Sequence, residues 1–235
     1  MSPEQRSEVL NPERGEVFSQ IAHERKSVRG FKPDRLSEQV LRRLFEDAQR
    51  SPSNCNTQPW KVAVASGEVA DKLRTTMTDG MLSGNIDMDF PYDGQYEGVY
   101  KERQKDSAAQ LLEVAQGIQR DDKAGRNTAF MRNYQAFDAP HIAFFFLPAP
   151  FGIREAADLG MYAQTFMLAL TAYGYAGCPQ TALSFHASAV KAELGVAKEN
   201  KLLFAVSFGI EDPAHPANAC SIGREKLEHV VSFVG

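Results

Sequence analysis

Two apolar runs interrupt an otherwise mixed pattern of hydrophobic and polar positions: Ala139 to Pro148, which holds Ile142-Ala143-Phe144-Phe145-Phe146-Leu147, and Leu202 to Gly209. Runs of that length without alternation suit strands covered on both faces, so both are predicted to lie inside a sheet. Lys61-Val62-Ala63-Val64-Ala65 reads as a third strand from its β-branched content. Between them, apolar residues recur at spacings of three and four. Val17, Phe18, Ile21 and Ala22 share one face of a helix from Pro12 to about Lys26, with Asn11 as N-cap and Pro12 at N1. Val40, Leu41, Leu44, Phe45 and Ala48 do the same over a helix from Glu38 to Gln49 behind the N-cap Ser37. Further helices are predicted over about 68–82, 100–120, 155–173 and 184–194. The 155–173 helix is nearly charge-free after Asp158, so it needs cover on every side, from the core or from a second subunit. Periodicity alone therefore predicts a mixed α and β protein.

The segments outside this pattern carry the candidate chemistry. Ser51-Pro52-Ser53-Asn54-Cys55-Asn56-Thr57-Gln58-Pro59-Trp60 joins a helix to a strand and offers hydroxyls and amides but no strong acid, base or nucleophile. Such an inventory suits holding a flat polar ligand, and it equally suits an ordinary connection. Arg25-Lys26-Ser27-Val28-Arg29-Gly30-Phe31-Lys32 places four cations in eight residues. It reads either as a solvated basic end complementing a helix dipole or as an anion clamp, with Arg25 and Arg29 converging if the helical turn continues. Tyr173 to Leu183 is turn-rich, with Gly174 and Gly177, and suits close backbone approach to a ligand or a plain structural turn. Residues 84–133 form an irregular, aromatic-bearing excursion that reads as a lid or as a solvated hairpin. Arg224, after Gly223, is a late candidate anion contact.

Composition narrows the classes. The chain has 235 residues, 43% hydrophobic and 24% charged, enough for one full core. A net charge of −4 gives no global attraction to nucleic acid or anionic lipid. Three well-separated cysteines argue against a disulfide framework and for a reducing cytoplasm, and the five histidines show no metal-ligand spacing. No run is long enough to span a bilayer. Dinucleotide-binding GxGxxG, the phosphate-binding GxxxxGK[ST] and the hydrolase GxSxG are all absent.

What is present, in order, is Arg25-Lys26-Ser27-Val28-Arg29, then Pro52-Ser53 through Asn56, Gln58, Pro59 and Trp60, then Gly177-Cys178-Pro179-Gln180 with Thr181 and Ala182, and finally Arg224 with Leu227. This ordered set resembles the nitroreductase family of flavin mononucleotide enzymes, over about 16–233. The resemblance implies an α+β sandwich, a mainly antiparallel sheet flanked by helices, in an intertwined homodimer with flavins at the interface. It implies FMN as cofactor, NADPH or NADH as electron donor, and ping-pong reduction of nitroaromatic or quinone-like acceptors through flavin N5, with no catalytic side chain required. By the same resemblance Arg25 and Arg224 hold the flavin phosphate, with Lys26 and Ser27 beside them. Arg29 and Asn133 lie at the pyrimidine edge, where a fixed positive charge favours the reduced flavin. Pro52, Ser53, Asn54 and Asn56 reach in from the partner subunit, while Pro179, Gln180, Thr181 and Ala182 lie along the ring near N5. The 84–133 segment selects the acceptor. One departure is visible: Ile222 stands where some members carry a second cation. Two other readings share these features: a reductive dehalogenase or enone reductase of the same superfamily, and a flavin-binding or flavin-sequestering module without turnover. A globular α+β domain without flavin is the third.

Overall fold

The computed structural model describes residues 11–235. Its four strands are β1 (Lys61–Ser66), β2 (His141–Pro148), β3 (Ala176–Gln180) and β4 (Asn200–Gly209). They form one sheet in the order β1-β2-β4-β3, and every pairing is antiparallel. The helices are α1 (Pro12–Glu24), α2 (Glu38–Ala48), α3 (Glu68–Ser83), α4 (Gly98–Ala109), α5 (Lys123–Met131), α6 (Ile153–Ala172) and α7 (Ala187–Leu194). The architecture is the expected α+β sandwich.

The two apolar runs are the two central strands, for the reason the pattern implied. Along β2, Ala143, Phe145 and Leu147 pack with α2 and α6, whereas Ile142, Phe144 and Phe146 pack with α3 and α7. Both faces are therefore buried, and alternation has nothing polar to expose. On β4 the register slips: Phe145 faces Phe204 but Phe146 faces Leu202. The extra residue, Leu203, joins Phe204 on the α2/α6 side, which returns Leu202 to the opposite core. Phe145 stacks on Phe204 at 5.1 Å, and Phe166 of α6 meets Phe208 edge-on at 5.2 Å.

Helix starts follow their caps. Asn11 Oδ1 accepts from Arg14 N at 3.2 Å, and Ser37 Oγ accepts from Val40 N at 3.3 Å. Four expectations need correction. The first helix ends at Glu24, and its Val17 and Phe18 are exposed rather than built into this chain's core. The helix expected over 100–120 ends at Ala109 and passes into one wide turn, Gln110–Val114, closed by Ala115 N to Gln110 O at 3.0 Å. A further helix, α5, follows because Asp122, in a charged run, caps it through Gly125 N at 2.8 Å. Residues 176–180, within the strip that suited a turn, form β3, an edge strand where Pro179 is tolerated. The 184–194 helix begins at Ala187, after a short 3₁₀ turn over Ala182–Ser184.

His141 opens β2 with its ring 1% exposed and stacked on Phe208. Its Nε2 accepts from Leu36 N at 2.9 Å, which leaves Nδ1 to donate to Ser66 Oγ at 2.5 Å. Burial, then the nearby Arg35 charge, pulls its pKa down to about 4. The folded state thus prefers the neutral ring: stability is complete above the ordinary value of 6.5 and is lost as pH falls from there to about 4. The shift corresponds to about 3 kcal/mol. Thermal midpoints measured between pH 7 and pH 4 should fall across that window, and more shallowly in His141→Gln, which keeps an acceptor and a donor but cannot titrate.

Candidate functional site

The basic strip is placed by backbone pairing on both edges. At Arg25 the chain leaves the helix (φ −58°, ψ 115°), so Arg25 and Arg29 do not share a helical face as the spacing allowed. Instead Ser27 bridges Gly177 of β3, with Val28 N donating to Gly177 O at 3.2 Å. On the other side Lys32 N donates to Ile210 O at 2.9 Å and Asp212 N to Gly30 O at 3.1 Å. Gly30 is required here, because a β-carbon would sit 2.2 Å from the His215 ring.

One side chain locks this arrangement and was not foreseen. Asn218, 4% exposed, accepts from Arg29 N at 2.7 Å and donates to Gly30 O and Asp212 O, both at 2.8 Å. Its own carbonyl accepts from Lys26 Nζ at 3.0 Å. In sequence it is an unremarked polar residue between Pro216 and Cys220; nothing local marks a side chain whose partners lie nearly two hundred residues away.

The strip opens onto a cleft of about 1320 Å³, larger than the ~300–1,000 Å³ of most small-molecule pockets. Arg25, Lys26, Ser27, Arg29, Pro179 and Arg224 all line it, together with Gln164 and Met167 of α6 and Ser107 of α4. Arg25 and Arg224 thus meet from opposite ends of the chain. The Arg25 pKa is lowered, first by burial and next by Arg224, and no carboxylate among the described residues pairs with either. Glu225, next in sequence, is taken by Arg103 at 2.5 Å and His229 at 2.8 Å. Cys178 lies beneath the strip, and burial pushes its thiol up to about 11, so it brings no negative charge at neutral pH. A partly desolvated Arg25 beside an exposed Arg224, neither in an ion pair, makes a site for an anion.

The remaining predicted residues divide. Lys26 is already engaged by Glu211 at 2.8 Å, which leaves Arg25 and Arg224 as a clamp without ion pairs, Arg224 Nη1 donating to Ile222 O at 2.9 Å and Gly223 O at 3.1 Å. Gln180 is 4% exposed and turned inward: its Nε2 donates to Asn133 O at 3.0 Å and its Oε1 accepts from Ser207 Oγ. Asn133 and Gln180 are therefore brought together, and Asn133 lines a second, smaller cavity beside Arg29. Thr181 and Ala182 follow β3 directly, Ala182 starting the 3₁₀ turn. Pro52, Ser53, Asn54 and Asn56 are not on the cleft wall of their own chain. Their loop docks elsewhere on α6: Asn54 N donates to Asp158 Oδ2 at 3.1 Å, and Ser51 Oγ donates to Thr165 Oγ1 at 2.8 Å. Trp60 is a core residue, tilted on Tyr162 at 4.8 Å.

Comparison with known proteins matches the nitroreductase family over residues 22–210. A nitroreductase NfnB from Mycolicibacterium smegmatis is 43% identical over 213 residues, covering 89% of each chain. A 4-nitrobenzoate reductase from a Nocardioides species is 30% identical over 229 residues, covering 93% of this chain and 90% of that one. Among solved structures, the FMN-dependent NfnB of Mycobacterium smegmatis in complex with NADPH superposes with a TM-score of 0.90 at 39% identity, over 94% of this chain and 100% of that one. An FMN and NADPH-dependent NfnB from Sphigopyxis sp. strain HMH gives 0.88 at 32% identity, over 93% and 99%.

Replacing Asn218 by Ala would strand the Arg29 N–H, whereas Gly30 O and Asp212 O would each keep one backbone donor, Asp212 N and His215 N. With one N–H left unpaired and two carbonyl hydrogen bonds lost, a loss of about 1–3 kcal/mol is expected. The urea unfolding midpoint should fall with the slope unchanged.

Proposed function

The chain belongs to the nitroreductase family, and from that premise we propose that it is an FMN-dependent NAD(P)H oxidoreductase that reduces nitroaromatic or quinone-like acceptors. The observation that carries this reading is the convergence of Arg25 and Arg224, unpaired, at one part of a cleft that Arg29 also lines. A terminal phosphate matches the paired guanidinium groups, and a flat heteroaromatic ring suits a wall that includes Pro179, Met167 and Gln164.

Bound there, FMN supplies two-electron transfer between a nicotinamide donor and the acceptor. Arg25, Arg224 and Ser27 bind the phosphate, while Lys26, held by Glu211, supports the strip rather than the ligand. Arg29 and Asn133 would hold the pyrimidine edge, Asn133 being kept in place by Gln180 and by its own bond to Phe130 O at 2.9 Å. Thr181 and Ala182 present backbone beside the ring. The acceptor would bind beside the cofactor in the same cleft. The 84–133 segment forms its outer wall: Asp89 fixes the base of that segment through Lys191 Nζ at 2.8 Å and Leu202 N at 2.7 Å, whereas α4 beyond it has no buried residue and contributes Ser107 to the cleft.

The same reading makes the active form a homodimer. Pro52, Ser53, Asn54 and Asn56 lie off their own cleft and would cover the cofactor of a second copy. Apolar residues left open support this: Val17 and Phe18 on α1, and Val230, Phe233 and Val234 in a C-terminal tail that is exposed throughout. Val230→Asp should lower the solution mass from twice 26.0 kDa toward one chain and weaken FMN binding in parallel, as read by light scattering and flavin fluorescence. No helix among the described residues is long and apolar enough to cross a membrane, and a cytoplasmic setting agrees with three free cysteines.

Two measurements test the reading. Purified protein should carry, or take up, FMN with absorption near 450 nm that bleaches on anaerobic addition of NADPH. A band that stays unbleached would replace the reductase with a flavin-binding module. Arg25→Ala and Arg224→Ala should each weaken FMN binding by about 1.5 to 3 kcal/mol, roughly 10- to 100-fold in Kd, the scale of a lost charged hydrogen bond. Unchanged affinity in both would refute the clamp.

A further inference from the structure

Arg29 is the one side chain common to the walls of the large cleft and of the smaller cavity, about 160 Å³, that also contains Arg132, Asn133 and Phe137. Its guanidinium donates to Ser27 O at 3.2 Å and meets no carboxylate among the described residues. Arg132 differs: it donates to Asp138 Oδ2 at 3.0 Å and to His215 Nε2 at 2.7 Å. Both guanidinium carbons lie against the ring of Phe137, at 6.0 Å for Arg29 and 5.9 Å for Arg132. The aromatic quadrupole attracts each cation and so lets two like charges share one neighbour.

The turn that presents this ring is strained. Ala136, Phe137 and Asp138 are consecutive non-glycine residues with φ of 52°, 54° and 63°. Each left-handed residue costs on the order of 1–2 kcal/mol. Surrounding contacts enforce the conformation: Arg74 of α3, mostly buried, donates to Gln135 O at 3.0 Å and to Ala139 O, bracketing the turn. Such strain points to a placement that matters.

We propose that Arg132 and Asp138 set the net charge at the Arg29 end of the cleft, and with it how strongly the site favours the negative charge that the cofactor gains on reduction. This rests on the FMN reading above. As built, Arg29, Arg132 and Asp138 sum to one positive charge. Arg132 acts through the field and through Phe137, not by touching the ligand.

The test is one of sign. Asp138→Asn leaves two positive charges, and the turn survives, because asparagine accepts positive φ at least as well as aspartate. Arg132→Gln leaves none. The two-electron reduction potential of bound FMN, measured by anaerobic equilibration with a reference dye, should rise in Asp138→Asn and fall in Arg132→Gln. The expected change is about three- to tenfold in the equilibrium constant for reduction, tenfold being about 30 mV for a two-electron couple. The double variant should return close to the wild-type value. A merely structural role would loosen FMN in both variants without separating their potentials. FMN-bearing variants whose potentials are unmoved, or move the same way, overturn the assignment alone. A wild-type protein that binds no FMN overturns it together with the functional reading.

Discussion

Two guanidinium groups held near each other, one of them partly out of water and neither in an ion pair, repel. Arg25 and Arg224 are in that position, and much of the surrounding structure can be understood as what keeps them there. The strip carrying Arg25 is fixed by main-chain pairing to Gly177 on one side and to the 210–212 segment on the other, so it cannot swing away to relieve the repulsion. The residue next to Arg224 is pinned by Arg103 of α4. Of the acids nearby, Glu211 is engaged by Lys26 and Glu225 by Arg103 and His229, while Glu24, which also lines the cleft, accepts from Gln20 Nε2 at 2.8 Å. A clamp whose natural counter-ions are diverted is preorganised for an external anion, because binding then requires no internal ion pair to break.

The hydrophobic part of the fold was legible because its physics is local. A strand buried on both faces must be apolar at every position, and both such runs became β2 and β4. Caps are equally local, and Asn11 and Ser37 act as their side-chain chemistry dictates. The basic strip and the hydroxyl and amide loop were visible as polar islands, and their order along the chain carried the family resemblance. That resemblance, not spacing, paired Arg25 with Arg224. Reading Arg25 and Arg29 as partners from their four-residue separation assumed a helical turn, and the chain leaves the helix at Arg25.

What could not be read depends on contacts between distant residues. Edge strand β3 contains Gly177 and Pro179, which lower strand propensity, and it exists because β4 supplies its ladder. Asn218 is indistinguishable from a loop residue until Arg29 and Gly30 arrive beside it. Gln180 matched a motif expected along the flavin, yet its side chain faces the core and braces Asn133 against Ser207. The motif position and the contact are thus separable: such a residue can be retained for the neighbour it steadies. The turn over 136–138 gave no signal at all, since none of its residues is glycine or asparagine. Its strain is tolerated only because Arg74 and the packed Phe137 ring over-determine it.

The placement of the hydroxyl and amide loop completes the reasoning about assembly. The loop is rigid within its own chain: Asn54 N is held by the carboxylate of Asp158, which is 4% exposed, and Ser51 is tied to Thr165. Cys55, Asn56 and Gln58 all have positive φ, so the backbone is committed to one unusual shape. Nothing on its own cleft uses that shape. Helix α6 explains how one element could serve two sites. Asp158 and Thr165 carry the loop, whereas Gln164 and Met167 wall the cleft. Between these surfaces runs a stripe of Ile153, Ala157, Gly160 and Met161 that stays exposed in the single chain. Small residues let a second helix approach closely. Pairing two copies along this stripe would bury apolar surface that a lone chain leaves in water. It would also carry each preformed loop toward the other copy's cleft, so that assembly and completion of the site become one event. In the proposed dimer, strain in the loop would be the cost of a surface that a second copy completes.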